Sequence, residues 1–164
     1  MEQQFIHKVA RGSRYNQIYI PKDREKEFEV GDLVEIRLIE KKNSIFYSKN
    51  LKKLNEFKER IILDIFKILS DNRKIEQIFV FGSFITKDVD YRDIDILLFS
   101  NEEIEEQAYK ELTSKLKLKF HIISVKKEKF EKILEICPIT RSMMFYFASN
   151  KKFEIPEKIR FDDE

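Results

Sequence analysis

Residues 78–99, IFVFGSFITKDVDYRDIDILLF, decide how this chain folds. An apolar run leads into Gly82-Ser83, nine residues follow, and a second apolar run then carries Asp93 and Asp95. This order predicts a strand, a tight turn, a short helix or loop, and a second strand. Gly82 has no Cβ, and a turn that opens a helix presents free N–H groups. The turn is therefore a candidate phosphate contact.

Asp93 and Asp95 lie two residues apart in the second predicted strand, so both are expected on one face. Ile94 and Ile96 then point to the other face. Two neighbouring carboxylates repel each other and resist burial, and a bound divalent cation would offset that cost. Mg²⁺ prefers carboxylate and phosphate oxygens. The alternative interpretation is a buried strand with a turn and an acidic edge.

The Gly82-Ser83 turn and the Asp93-Ile94-Asp95-Ile96 segment resemble the signature of the DNA polymerase β-like nucleotidyltransferases, most of all their minimal single-domain branch. The resemblance covers residues 60–136. It implies an NTP substrate, ATP above all, with Mg²⁺ or Mn²⁺ as cofactor. It also implies Asp93 and Asp95 as catalytic metal ligands, with Gly82 and Ser83 at the triphosphate. Lys87 is the nearest candidate to balance phosphate charge.

Members of that superfamily usually carry a third carboxylate on a neighbouring strand. Here the next predicted strand, Leu118–Val125, has no acidic residue, and His121 lies near the expected position. His121 is interpreted as a general base, as a ligand better suited to Mn²⁺ or Zn²⁺, or as a structural histidine. Without a third carboxylate, the site either catalyses at a reduced rate or keeps nucleotide binding alone.

Residues 1–40 form a second compositional unit, with strands predicted at Phe5–Val9, Gln17–Ile20 and Leu33–Ile39. The segments Ile18-Tyr19-Ile20-Pro21-Lys22 and Phe28-x-Val30-Gly31-Asp32-x-Val34 resemble the swapped-hairpin domain of AbrB- or SpoVT-like DNA-binding proteins. That resemblance implies a homodimer and DNA contacts from cations, namely Lys8, Arg11 and Arg14. The alternative is a small β-hairpin that packs on the larger domain or dimerises without DNA.

The rest of the chain predicts an α+β fold, in which a mixed β-sheet with flanking helices is joined to a small N-terminal β-hairpin domain. Residues 41–50 are expected to be a polar linker, and residues 51–164 the nucleotidyltransferase-like domain. Helices are expected at 51–69, capped by Ser48 or Asn50, at 102–116, with a capping box at Ser100 and Glu103, and at 126–136. A helix or a strand is expected between 138 and 148.

Composition and charge limit the partners and the cellular location that we expect for this protein. The 164 residues are 42% hydrophobic with a net charge of +2, and residues 41–74 carry ten cations against four acids. That basic stretch suits either nucleic acid or a solvated helix face. No apolar run approaches about 20 residues, the start lacks signal-peptide features, and Cys137 is the only cysteine, so a cytoplasmic protein is expected.

Two functions follow from these patterns. The first is transfer of AMP from ATP to a hydroxyl acceptor, which can be a partner protein in a toxin–antitoxin-like pair. The second is a dimeric DNA-binding regulator that binds nucleotide and is catalytically weak or inactive. A purely structural interaction module is the third alternative.

Overall fold

A computed structural model of the chain describes residues 5–37, 44–51, 53–87, 89–156 and 159. Contacts divide the chain into two compact units, residues 1–41 and residues 42–164. Among the described helices, none combines the length and the apolar character that crossing a bilayer requires.

The N-terminal unit contains a short antiparallel hairpin of β1, Ala10–Arg11, and β2, Asn16–Gln17. A 3₁₀ helix follows at Lys22–Glu27. The predicted hairpin is present, but the strand limits were wrong: residues 5–9 and 33–37 have no regular structure, and β2 ends at Gln17. The last two residues of the predicted third strand, 38 and 39, lie outside the described part of the chain.

Among the described residues of this unit, the alternating apolar side chains are not covered by an opposing face. Ile6, Val30, Leu33 and Ile36 are all largely exposed to solvent. Strand formation depends on burial of one face, so alternation without a covering layer does not produce a strand here.

The C-terminal unit is built on a five-stranded sheet. Its elements in chain order are β3 (Phe46–Tyr47), α1 (Glu56–Ser70), β4 (Ile75–Phe81), α2 (Ser83–Thr86), β5 (Ile94–Ser100), α3 (Glu105–Leu116), β6 (Phe120–Val125), α4 (Lys127–Ile136), α5 (Pro138–Met143) and β7 (Phe147–Ser149). The strand order is β3-β7-β4-β5-β6. Only β5 and β6 pair in parallel, through the α3 crossover, and the other pairs are antiparallel. The mixed sheet with flanking helices confirms the predicted α+β fold.

The core lies on the two central strands. From Ile78 in β4 and from Ile96 in β5, every residue to the strand end is buried, as expected for strands covered on both faces. Helix α1 packs an apolar stripe on this core, formed by Ile61, Ile62, Ile65, Phe66 and Leu69. Fully burying each such side chain contributes about 1.5–3 kcal/mol.

Helix α1 starts later than predicted because a different residue caps it. Helix α1 begins at Glu56, where the Asn55 side chain accepts a hydrogen bond from the Lys58 N–H at 2.9 Å. Ser48 instead accepts from the Phe147 N–H, beside the β3–β7 pair. The predicted linker thus contains an edge strand of the sheet.

The predicted capping box of α3 does not form. Ser100 Oγ accepts a hydrogen bond from the Glu102 N–H at 3.1 Å, and the helix begins only at Glu105. In the tail, the helix α5 ends at Met143, and β7 then pairs with β3 and β4.

Candidate active site

The turn after β4 has a backbone that only glycine adopts readily. Gly82 has φ 78° and ψ −157°, and Ser83 begins the short helix α2. A Cβ on Gly82 would lie 2.2 Å from Oδ2 of Asp95. The backbone angles therefore favour glycine at this position, and any side chain there would also force the Asp95 carboxylate to move.

Three neighbouring strands place the key residues side by side. Phe81 pairs with Asp95 across β4 and β5, and Asp95 pairs with His121 across β5 and β6. The Nδ1 atom of His121 lies 3.0 Å from Oδ1 of Asp95. The Asp95 side chain is 22% exposed and that of His121 is 59% exposed. One carboxylate thus contacts the glycine turn with one oxygen and the imidazole with the other.

Asp93 lies directly before β5 and is half-buried. Ile94 and Ile96 are fully buried on one face of β5, and strand alternation places Asp95 on the opposite face, where its side chain is 22% exposed. No three His, Cys, Asp or Glu side chains converge as a metal-binding group in the described part of the chain. The contact that the structure provides is therefore the Asp95–His121 pair, and Asp93 does not complete a three-ligand cluster with it.

A cleft of about 280 Å³ opens at this pair. Its lining residues are Phe81, Gly82, Thr86, Asp95, His121, Ser142, Met143 and Tyr146. Three of them were predicted from sequence: Gly82, Asp95 and His121. Ser83 and Lys87 do not line it; Ser83 is half-buried at the start of α2, and Lys87 is exposed at its end.

Sequence analysis missed the other wall of the cleft. Ser142, Met143 and Tyr146 reach it because β7 pairs with β4, which brings the end of α5 beside the glycine turn. No local motif marks these residues, since their position depends on a pairing between distant parts of the chain.

Lys58 was also missed, although the spacing of α1 contained a signal. It lies four and seven residues before Ile62 and Ile65, on the same helical stripe. Lys58 is buried, and its amino group donates to the Lys87 carbonyl. The nitrogen also lies 5.4 Å from the ring centroid of Phe84 and 5.9 Å from that of Tyr91. Lys58 thereby ties α1 to the segment between the glycine turn and the Asp pair.

A carboxylate on α3 connects that helix to the strand that carries His121. Glu105 Oε1 accepts a hydrogen bond from the Ser124 N–H at 3.2 Å. The hydrogen bonds from Ser124 hold the pKa of Glu105 below its ordinary value of 4.5. This hydrogen bond connects β6 to the first turn of α3.

The three cations predicted to bind DNA are all exposed in the N-terminal unit. Arg11 lies in β1, Arg14 lies in the turn that leads to β2, and Lys8 precedes β1. The hairpin therefore brings Arg11 and Arg14 into one short element.

The mixed sheet, with the Gly82 turn packed against Asp95 of the neighbouring strand, is consistent with a nucleotidyltransferase-like fold. A family model described as polymerase beta, nucleotidyltransferase, matches residues 64–140. This segment includes Gly82, Asp93, Asp95 and His121, and the match supports the DNA polymerase β-like superfamily and general nucleotidyl transfer. It does not extend to the segment that resembles AbrB-like domains. No curated protein and no solved structure matches the chain.

Proposed function

We propose that the protein transfers AMP from ATP to a hydroxyl acceptor. The observation that carries this proposal is the position of the Asp95 carboxylate between the Gly82 turn and the imidazole of His121. A phosphate chain at the turn would lie beside an acidic strand and a candidate base. The reaction joins the acceptor oxygen to the α-phosphorus and releases pyrophosphate.

The donor set fits a divalent cation that shares its coordination with the nucleotide. Asp93 and Asp95 would hold Mg²⁺ or Mn²⁺, and phosphate oxygens and water would fill the other positions, as Mg²⁺ sites with one or two carboxylates commonly do. Such an ion neutralises charge on the attacking and leaving oxygens. Because imidazole is a poor ligand for Mg²⁺, a ligand role for His121 would favour Mn²⁺.

His121 serves in this proposal as the general base. When Nδ1 donates its proton to Asp95 Oδ1, Nε2 keeps its lone pair. The acceptor hydroxyl can then lose its proton to Nε2 as its oxygen attacks. The half-exposed imidazole leaves that nitrogen open to an incoming acceptor.

The exposed base also suits an acceptor on another protein. We propose a side-chain hydroxyl of a partner, as in a toxin–antitoxin-like pair, as the acceptor. Ser83 and Lys87 are proposed to contact the triphosphate at the two ends of α2. The proposed location is the cytoplasm, where ATP is abundant.

The test is transfer of label from ATP labelled at the α-phosphate, with Mg²⁺ or Mn²⁺ and a cell extract as the source of acceptor. Labelled product should form with the wild type and disappear in Asp93→Asn and Asp95→Asn. Asp90→Asn is the matched control, since Asp90 is an exposed acid in the same connecting segment. Equal labelling by the wild type and Asp95→Asn would contradict the proposal.

A second function, a DNA-binding regulator with weak or no turnover, is favoured by the absence of a three-ligand metal group among the described residues. The exposed apolar side chains of the N-terminal unit support a homodimer in which a second copy covers them. This function predicts retardation of DNA that depends on nucleotide, without labelled product. Replacing Lys8, Arg11 and Arg14 by Ala would abolish the retardation, and light scattering would report the dimer.

A further inference from the structure

We propose that Tyr146 and Met143 form the nucleobase wall of the site, with the base stacked on the Tyr146 ring. The inference rests on the proposed function, because it needs a nucleotide whose phosphates lie at Gly82. It assigns the base-binding part of the substrate to residues outside the glycine turn and the Asp pair.

Two chemically different groups of residues line the cleft. Gly82, Asp95 and His121 offer polar groups, whereas Phe81, Met143 and Tyr146 carry aromatic or thioether groups. A nucleotide has the same division, with a charged phosphate chain and a planar ring. A ligand whose phosphates contact Gly82 would therefore find apolar contacts for its base at Met143 and Tyr146.

Tyr146 and Met143 stay exposed while their neighbours enter the core. Each is 38% exposed, whereas Met144 is 2% and Phe147 is 3% exposed. The Phe145 ring packs edge-on against the ring of Tyr146, with centroids 4.8 Å apart and planes at 83°. That contact orients the Tyr146 ring before a ligand arrives, which lowers the entropy cost of stacking.

The size of the cleft favours a base over a polypeptide. At about 280 Å³ it falls just below the range of about 300–1,000 Å³ that is typical of small-molecule pockets. Such a space can hold a ring and a sugar.

Ser142 adds a preference among bases. Its hydroxyl donates a hydrogen bond to the Ile139 carbonyl at 2.8 Å, so its oxygen can only accept from a ligand. A base with an exocyclic amino group supplies the matching donor. The wall therefore favours adenine, whose large ring stacks well, over uracil.

Calorimetry with Mn²⁺-ATP and with Mn²⁺-tripolyphosphate tests the assignment. Removing an aromatic ring that stacks on a base weakens binding by about 5- to 150-fold. Tyr146→Ala should therefore lose ATP affinity by that factor and keep its affinity for tripolyphosphate. Tyr146→Phe should bind ATP like the wild type, because the ring remains. Tyr109→Ala is the control, since Tyr109 is 44% exposed on α3 and lies outside the cleft.

The outcomes separate this inference from the proposed function. Unchanged ATP affinity in Tyr146→Ala would overturn the base wall alone. Equal loss of ATP and tripolyphosphate binding would show a structural effect and would also overturn it. If the wild type bound neither compound, both the proposed function and the base wall would fail.

Discussion

Gly82→Ala is the sharpest perturbation of this site, because two independent features require glycine there. The backbone lies at φ 78° and ψ −157°, a region that is essentially restricted to glycine and costs other residues about 1–3 kcal/mol. The new methyl group would also lie 2.2 Å from Asp95 Oδ2, more than 1 Å inside the ordinary contact distance of about 3.5 Å.

The side chain of Asp95 must move to relieve that clash. Rotation away from its preferred angle adds about 0.5–1.5 kcal/mol, so the total loss in the free energy of unfolding is about 2–4 kcal/mol. The same movement separates Oδ1 from the imidazole of His121. A displacement of about 1 Å in a reacting group lowers the rate by about 100-fold, and we expect at least that loss of nucleotidyl transfer.

Denaturant unfolding and initial rates with labelled ATP measure the two effects on one preparation. Gly31→Ala is the matched control: its φ is 104°, but nothing lies within 4 Å of the added Cβ. It should show backbone strain in the N-terminal unit and leave the transfer rate unchanged. If Gly82→Ala kept both the stability and the rate of the wild type, the close contact between the turn and Asp95 would be refuted.

Three further predictions follow. Lys58→Met should lower the free energy of unfolding by about 1–3 kcal/mol, because the Lys87 carbonyl loses its donor in a part-buried setting; Lys67→Met, on an exposed part of α1, is the control for denaturant unfolding. His121→Asn should reduce the transfer rate by about 100- to 10,000-fold, because it removes the proposed general base; initial rates equal to those of the wild type would exclude that role. Glu105→Gln should make the melting temperature less sensitive to acid. The pKa of Glu105 is lowered in the folded state, so the carboxylate stabilises the fold above pH 4.5 and loses that effect as pH falls. Thermal unfolding between about pH 5 and pH 3 should therefore show a smaller drop in melting temperature in the variant than in the wild type.

The spacing of residues in the sequence predicted that Gly82 and Asp95 belong to one site, because the two residues are close together in the chain. The Gly82 turn and the Asp95 strand are joined by a short connection, and the antiparallel β4–β5 pair follows directly from it. The strand–helix–strand order of β5, α3 and β6 gives a parallel pair in which His121 lies beside Asp95.

The residues of the other cleft wall and the limits of the N-terminal strands could not be predicted from local sequence spacing. Tyr146 reaches the cleft through the pairing of β7 with β4, where Phe79 pairs with Ser149, seventy residues along the chain. Lysine side chains usually face water, but Lys58 is buried because its amino group contacts a backbone carbonyl and two aromatic rings. In the N-terminal unit, the alternation of Val34 and Ile36 has no opposing layer within the described chain.

The parallel alignment of β5 and β6 has a consequence for protein synthesis. His121 follows Asp95 by 26 residues, and α3 separates them. A nascent chain therefore exposes its glycine turn and acidic strand well before the imidazole has been translated. Since domains fold as units during translation, a ribosome-bound fragment that stops before β6 carries the acids without their base partner. If His121 is the general base as proposed, a fragment released before β6 would lack it, and transfer would begin only after β6 had paired with β5.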